Sequence, residues 1–243
     1  MRKKRVWALL ASAYLVLLHL LLVLFISKPY WIERVREALG FPMPELTEYY
    51  RTLVDLQLRA DAHVAPGAVL FFGASQVQGL CVTCIDARAV NYGIGGDTTA
   101  GVLERLSKYR SLETATAVFI SVGFNDLRRR SIEAALANYE QVLQRIPATT
   151  PVIASAVFPV DDRIDDVKEV SNEAIRRLND GVRSLCSARR GCRFLDPREQ
   201  LIDTAGRLRA DMHDGDGLHL NASGYKIWMA QIAGAIAEIR SAR

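Results

Sequence analysis

Short apolar runs alternate with helix-like segments along most of this chain, and that alternation restricts the possible folds more than any other feature. Residues 68–72 and 117–122 are almost entirely apolar, as expected of strands that are buried on both faces. Further strands are predicted at 87–92, 152–158 and 193–195. Strands that alternate with helices predict an α/β fold in which about five parallel strands form a sheet between two helical layers.

Amphipathic stripes mark the helices between these strands. In one stripe, apolar residues step by three or four positions and form a single face: Ile132, Leu136, Tyr139, Leu143 and Ile146. The end of the chain repeats this pattern with Trp228, Ile232, Ile236 and Ile239. Both segments are therefore predicted to be helices that pack on the sheet.

The N-terminal segment differs from the rest of the chain. Val6–Ile26 has no formal charge, and as a helix it would span roughly 31 Å, about the thickness of a bilayer core. A cleaved signal peptide is the alternative, but its apolar region usually has only about 7–15 residues, and Phe25–Pro29 lacks a small-residue cleavage pattern. A buried helix of a soluble protein is the third interpretation. We predict a retained transmembrane helix.

The formal charge of +4 is concentrated at the N-terminus, in residues 2–5. Positive charge on this flank predicts a single-pass protein of the inner membrane, with its N-terminus in the cytoplasm and its body in the periplasm. The rest of the chain is neutral, which gives no electrostatic case for binding nucleic acid.

Three parts follow from this division of the chain: a basic tip and anchor at 1–27, a membrane-proximal linker at 28–66, and the main domain at 67–243. Residues 40–44 contain glycine and two prolines and predict a turn, and residues 45–63 have a helical pattern. The sequence leaves open whether that helix is a stalk or packs on the domain.

Four cysteines are expected to be oxidised in an extracytoplasmic domain. Three pairings are compatible with the sequence, and we favour the local pairs Cys81–Cys84 and Cys186–Cys192. A zinc site is disfavoured because the second pair has five intervening residues rather than two to four. A thioredoxin-like redox role is disfavoured because Cys81 does not open a redox βαβ unit.

Three of the predicted strands are followed by glycine together with small polar residues. The segments are Gly73–Gln76, Gly93–Asp97 and Gly123–Asp126. Each taken alone would be an ordinary turn, but ligands of parallel sheets bind outside the carboxyl ends of the strands. Three such segments in succession therefore predict a functional site at this edge.

A hydroxyl nucleophile in such a site would need a histidine base and a carboxylate to orient it. His219 follows Asp216 by three residues, a spacing that allows the carboxylate to bind Nδ1 while Nε2 faces a serine. His213 is a weaker candidate because its neighbour Asp214 is adjacent, and adjacent side chains usually diverge. A polar residue in a loop before a helix is the ordinary alternative for His219.

Taken in chain order, four segments resemble the sequence blocks of SGNH (GDSL-like) hydrolases: Gly73–Ser75, Gly96–Asp97, Gly123–Asp126 and Asp216–His219. The resemblance covers roughly residues 68–240. It implies a flavodoxin-like α/β/α fold and acyl-ester chemistry without a metal or an organic cofactor. One difference is that Ala74 stands where the family usually has aspartate. That aspartate is outside the triad, so the difference does not imply loss of activity.

The same resemblance implies a role for each residue. Ser75 is the nucleophile, His219 the general base and then acid, and Asp216 the partner of His219. The oxyanion donors are the backbone N–H groups of Ser75 and Gly96 and the side-chain amide of Asn125. Tyr92 and Phe124 are candidates to shape an acyl pocket, although core packing explains them equally well. The arginines 128–130 are candidates to face an anionic or sugar-rich ligand, although a solvated first turn before the Ile132 helix is the favoured explanation.

Three functions are consistent with these residues. The first is hydrolysis of short-chain or O-acetyl esters in the cell envelope. The second is an O-acetyltransferase that uses the same triad on an envelope polysaccharide; with one predicted span, it would need a multi-pass assembly partner or an acyl donor already outside. The third is a non-catalytic binding or assembly module, which the base–nucleophile pair disfavours because binding alone does not require it.

Overall fold

The computed structural model describes residues 2–26 and 45–242, and the chain divides into two compact units, Met1–Arg51 and Thr52–Arg243. In the first unit, helix α1 comprises Arg2–Ile26. Its stretch Arg5–Val23 is long and apolar enough to cross a membrane, with a mean hydropathy of 2.3. Residues 27–44, with the expected turn at 40–44 and the first part of the linker, lie outside the described residues.

The second unit contains a five-stranded parallel sheet with the strand order β2-β1-β3-β4-β5. This is the flavodoxin-like order of a doubly wound sheet, so the expected fold class is confirmed. The strands are β1 Val69–Gly73, β2 Ala89–Gly93, β3 Ala117–Ser121, β4 Val152–Ser155 and β5 Cys192–Leu195.

Helices cover both faces of this sheet. In chain order they are α2 Glu48–Asp61, α3 Ser75–Gln78, α4 Val82–Ile85, α5 Thr99–Leu106, α6 Ile132–Arg145, α7 Asn172–Ala188, α8 Arg198–Leu201 and α9 Ala222–Ser241. Side-chain N-caps begin four of these helices, α5, α6, α7 and α9, and the caps are Thr98, Ser131, Ser171 and Asn221. The sheet and its helices thus form the three expected layers.

Side chains of the interior strand β1 alternate between two apolar cores, one on each face of the sheet. Val69 and Phe71 face the core that contains Trp228 of α9, whereas Leu70 and Phe72 face the opposite core. All four strand residues are fully buried. A strand with both faces covered needs a continuous apolar sequence, which is why this run is the clearest strand signal in the chain.

The fourth strand is shorter than its apolar run predicts. The run 152–158 was expected to be one strand, but β4 ends at Ser155 and residues 156–158 leave the sheet. Val157 and Phe158 remain buried there because they pack beneath the carboxyl edge of the sheet. Burial alone produces the same apolar pattern in a strand and in a buried loop.

The second half of α2 packs on the domain through buried polar contacts. Asp61 accepts hydrogen bonds from the hydroxyl of Tyr92 (2.6 Å) and from the backbone N–H of Arg110 (2.6 Å). Gln57 donates to the carbonyl of Gly93 (3.3 Å) and accepts from the hydroxyl of Tyr109 (2.6 Å). This part of the helix therefore belongs to the packed domain and is not a free stalk.

Both favoured disulfides are present. Cys81 is bonded to Cys84 beside α4, and Cys186 near the end of α7 is bonded to Cys192 at the start of β5. All four cysteines of the chain are therefore used in these two local disulfides.

Candidate active site

The strand register places the three glycine-containing segments at one edge of the sheet. Gly73 of β1 pairs with Gly93 of β2 on one side and with Ser121 of β3 on the other. Ser75, Gly96 and Asn125 follow these positions by two, three and four residues, so all three leave the sheet at its carboxyl edge. The sequence-predicted residues are brought together because the three strands end in the same row.

Ser75, His219 and Asp216 form a continuous hydrogen-bonded relay. The Oγ of Ser75 lies 2.8 Å from Nε2 of His219, and Nδ1 of His219 lies 2.5 Å from Oδ2 of Asp216. Both contacts are satisfied when His219 carries its proton on Nδ1 and donates it to the carboxylate. Nε2 is then free to accept the proton of the serine hydroxyl, the arrangement that activates a serine nucleophile.

The second carboxylate oxygen of Asp216 is held by the backbone. Oδ1 accepts from the N–H groups of Leu218 (2.9 Å) and His219 (2.8 Å). Burial opposes ionisation of Asp216, but the bonds from the His219 ring and from these two N–H groups outweigh it and lower its pKa below the ordinary value. Asp216 is therefore a fixed anion that orients the imidazole.

The other histidine of this loop supports its backbone. Nδ1 of His213 accepts from the N–H groups of Gly215 (3.0 Å) and Gly217 (3.1 Å), on either side of Asp216. Its Nε2 faces Oδ2 of Asp161 at 3.5 Å, and both side chains are buried. His213 therefore pairs with Asp161 and not with its neighbour Asp214, and it lies behind the loop that carries the relay.

Gln76 is a residue of this site that the sequence reasoning missed. Its Nε2 donates to the carbonyl of Leu218 (2.7 Å), and its Oε1 accepts from the N–H of Leu220 (3.3 Å). The hydroxyl of Tyr225 on α9 donates to the carbonyl of Gln76 (2.8 Å). The position of Gln76 directly after Ser75 is the only sequence signal that could have indicated a role.

Asn125 and Gly96, the expected oxyanion donors, follow β3 and β2 at the carboxyl edge of the sheet. Nδ2 of Asn125 donates one hydrogen to the carbonyl of Asp97 (2.9 Å), which fixes the amide plane and leaves its second hydrogen for a ligand. Gly96 has a φ of +76°, and a Cβ there would have no neighbour within 4 Å. Glycine is thus required at 96 by the backbone conformation and not by packing.

Buried carboxylates anchor the segments that carry Gly96 and Asn125. Oδ2 of Asp97 accepts from Nη2 (2.9 Å) and Nε (3.1 Å) of Arg105, and both side chains are almost fully buried. Burial raises the pKa of Asp97 to about 6, although the ion pair with Arg105 opposes this shift. Asp126, next to Asn125, accepts from the N–H (2.8 Å) and hydroxyl (2.5 Å) of Thr99. These contacts connect the segment around Asp97 with the segment around Asn125.

A small cavity opens beside Ser75, and only one of the two aromatic candidates for a substrate contact lines it. Phe124 lines the cavity together with Asn125. Tyr92 is 1% exposed and lies in the core, where its hydroxyl donates to Asp61. Arg128 lies over the ring of Phe124 with its guanidinium carbon 5.2 Å from the ring centroid. Of the two aromatic candidates, Phe124 lies at the site and Tyr92 packs in the core.

A family model of GDSL-like lipases and acylhydrolases matches residues 73–227. Because this match covers more than half of the chain, the chain belongs to the GDSL-like lipase/acylhydrolase family. Members of that class hydrolyse ester bonds, so the chain is an ester hydrolase by family. Comparison with curated proteins gives no match.

Several solved structures have the same fold. A protein of Streptococcus pneumonia described as a platelet activating factor is 26% identical, with a TM-score of 0.72 over 78% of this chain and 93% of that chain. A GDSL-like lipase from Bacteroides thetaiotaomicron is 21% identical, with a TM-score of 0.67 over 76% and 97%. A mutant acetylxylan esterase from Geobacillus stearothermophilus is 15% identical, with a TM-score of 0.58 over 71% and 96%. The last two similarities concern the fold alone.

Proposed function

We propose that this chain is a membrane-anchored serine esterase that removes short acyl groups, acetyl above all, from an ester of the cell envelope. The observation that carries the proposal is the relay from Ser75 through His219 to Asp216, with contacts of 2.8 and 2.5 Å. Serine hydrolases of unrelated folds use this constellation to activate a hydroxyl for attack on a carbonyl carbon.

In the acylation step, Oγ of Ser75 attacks the ester carbonyl carbon while Nε2 of His219 takes the hydroxyl proton. The positive charge that develops on the imidazole is balanced by Asp216. When the tetrahedral intermediate collapses, the bond to the leaving alcohol breaks, and the alcohol oxygen takes the proton from His219. The acyl group then remains on Ser75 as an ester.

In the deacylation step, a water molecule takes the place of the alcohol. His219 removes a proton from this water as it attacks the acyl carbon, and then returns the proton to Oγ of Ser75, which releases the carboxylic acid. In both steps the negative oxygen of the intermediate is stabilised by the N–H groups of Ser75 and Gly96 and by the amide of Asn125.

The envelope location rests on the N-terminal helix and the disulfides. Arg5–Val23 has the length and hydropathy of a membrane span and follows a cluster of basic residues. Positive charge on that side favours a topology with the N-terminus in the cytoplasm and residues 45–242 outside it. The pairs Cys81–Cys84 and Cys186–Cys192 fit an oxidising compartment.

Reporter fusions test this topology. A reporter enzyme that is active only after export should be active when it is fused to the C-terminus of the chain. Activity of only a cytoplasmic reporter at that position would contradict the topology.

The substrate we propose is an O-acetylated carbohydrate. The acetylxylan esterase with the same fold acts on such a polymer, and an extracytoplasmic esterase on a membrane anchor is placed to reach envelope polysaccharides. Acetyl also matches the small cavity beside Ser75.

The decisive test is turnover of p-nitrophenyl acetate by the full-length chain in detergent, compared with Ser75→Ala. The expected result is turnover that falls by at least about 1,000-fold in the variant, because the nucleophile is removed. Ser223→Ala is a suitable control, because Ser223 is an exposed residue of α9. Equal turnover in the parent and Ser75→Ala would overturn the proposal. Added sugar that increases acetyl transfer at the expense of free acetate would identify an acetyltransferase instead.

A further inference from the structure

The cavity beside Ser75 is small enough to restrict the acyl group. Its volume is about 40 Å³, whereas a cavity needs about 10–15 Å³ by the same measure to hold one water molecule. The space therefore holds roughly three water-sized groups. A whole acetyl group has about three non-hydrogen atoms and matches this volume, whereas a butyryl group has about five and exceeds it.

The chemistry of the cavity walls also restricts the acyl group. Its polar side chains are those of Ser75, Gln76, Ser121 and Asn125, and none of the described residues that line the cavity carries a formal charge. The apolar part is formed by Val122, Phe124, Val157, Phe158 and Leu218. A charged acyl group such as succinyl would lose its hydration there without gaining a partner, so the cavity favours an uncharged one.

Hydrogen bonds from α7 fix the backbone of Val157, which lines the cavity. Asn179 of α7 is 1% exposed and forms two hydrogen bonds with Val157: Oδ1 accepts from its N–H (2.8 Å), and Nδ2 donates to its carbonyl (2.8 Å). Asn172 makes the same pair of contacts with Val160, at 2.8 and 3.0 Å. Two asparagines of one helix thus fix both ends of the segment that leaves β4.

The side chains of this wall are also confined. Gly123 has a φ of +136°, and a Cβ there would lie 2.7 Å from Leu178 and 3.5 Å from Cγ2 of Val157, so Val157 packs against bare backbone. The ring of Phe158 packs edge-on against Trp228 at a centroid distance of 4.9 Å. Neither side chain has space to rotate away from a longer acyl chain, because both are buried in a close-packed core.

We infer that Val157 and Phe158, fixed in place by Asn179 and Trp228, form the end wall of an acyl pocket that accepts acetyl and excludes chains of four or more carbons. The inference rests on the proposed function, because the acyl group must be attached to Ser75 to enter this pocket. Val157 is the specificity-determining residue, since it lines the cavity and, unlike Phe158, does not pack against a second ring.

The test is the ratio of kcat/KM for p-nitrophenyl butyrate to that for p-nitrophenyl acetate, measured on the full-length chain in detergent. We expect the parent to prefer acetate by at least about 10-fold, since a methylene that does not fit an apolar pocket changes kcat/KM by roughly 10- to 200-fold. Val157→Ala should raise the butyrate-to-acetate ratio by at least about 10-fold. Val182→Ala removes the same two methyl groups from a buried position of α7 outside the cavity, and should leave the ratio unchanged.

The outcomes separate the inference from the proposed function. A parent that hydrolyses butyrate as fast as acetate overturns the inference even if Val157→Ala does not fold, and leaves the esterase standing. A folded Val157→Ala variant with the ratio of the parent also overturns it. Absence of Ser75-dependent turnover with either ester overturns the proposed function and the acyl pocket together.

Discussion

The side-chain amide of Gln76 brackets His219: it donates to the carbonyl of the residue before this histidine and accepts from the N–H of the residue after it. Because Gln76 is the direct neighbour of Ser75, one amide joins the backbone of the nucleophile to the backbone of the base. Ser75 and His219 are 144 residues apart in sequence, so their distance depends on such cross-links.

Gln76→Ala is expected to lower kcat for ester hydrolysis by about 10- to 100-fold, because small displacements of a catalytic group have effects of this size. KM should change less than three-fold, since Gln76 positions the base and does not hold the leaving group. Gln76→Glu keeps the acceptor for Leu220 but places a carboxylate against the carbonyl of Leu218, so it should not restore activity. Steady-state kinetics test this, with the exposed Gln200→Ala as the control. A kcat within two-fold of the parent would contradict the positioning role.

Asn125→Ala is expected to reduce kcat by about 100- to 1,000-fold, the usual effect of losing one oxyanion donor. The amide donates its other hydrogen to the carbonyl of Asp97, so the substitution also frees that loop. Circular dichroism and the melting temperature should show that the fold is retained. Activity above about one third of the parent's would exclude Asn125 from the oxyanion site.

Arg105→Met should lower the free energy of unfolding by about 3 kcal/mol or more, because it leaves the buried carboxylate of Asp97 without its partner. Adding Asp97→Asn to this variant should recover part of the loss, since the unpaired charge is then removed. Lys108→Met is the control: Lys108 forms an exposed ion pair with Glu104, worth less than about 1 kcal/mol. Denaturant unfolding of the four proteins provides the comparison, and equal losses for Arg105→Met and Lys108→Met would refute the anchoring role.

Acid should destabilise the domain in part through Asp161. Hydrogen bonds from Arg163 are the main cause that lowers the pKa of Asp161 to about 2, against about 3.9 in an unfolded chain. The folded state therefore binds this proton less readily, so Asp161 stabilises the domain above pH 4 and loses that contribution between about pH 4 and pH 2. The difference corresponds to about 2.6 kcal/mol.

Asp161→Asn should therefore melt at a lower temperature than the parent at pH 7, and the gap between the two should narrow as the pH falls below 4. Melting curves measured at intervals from pH 7 to pH 3 test this expectation. A gap that stays constant over that range would show that the stabilisation by Asp161 does not depend on its charge.

Several features of the fold follow from local sequence alone. The buried strand β1 needs apolar residues on both faces, and the helix Ile132–Arg145 needs one apolar stripe, so both are visible as periodicity. Glycine and small polar residues after successive strands indicate the edge where a site can lie. The three-residue spacing of Asp216 and His219 is also local, which is why a relay between them could be anticipated.

Other features depend on which elements pack together, and only the tertiary structure decides them. Gln76 contacts Leu218 across 142 residues, and Asn179 contacts Val157 across 22. Neither amide has a distinctive neighbourhood in the sequence, because its partners are backbone groups that every residue carries. Likewise, the apolar pattern of the residues after β4 predicts a strand, and only their packing against α7 and α9 shows that they form the wall of a cavity. Periodicity reports burial, whereas the shape of a pocket depends on the positions of atoms brought together from distant parts of the chain.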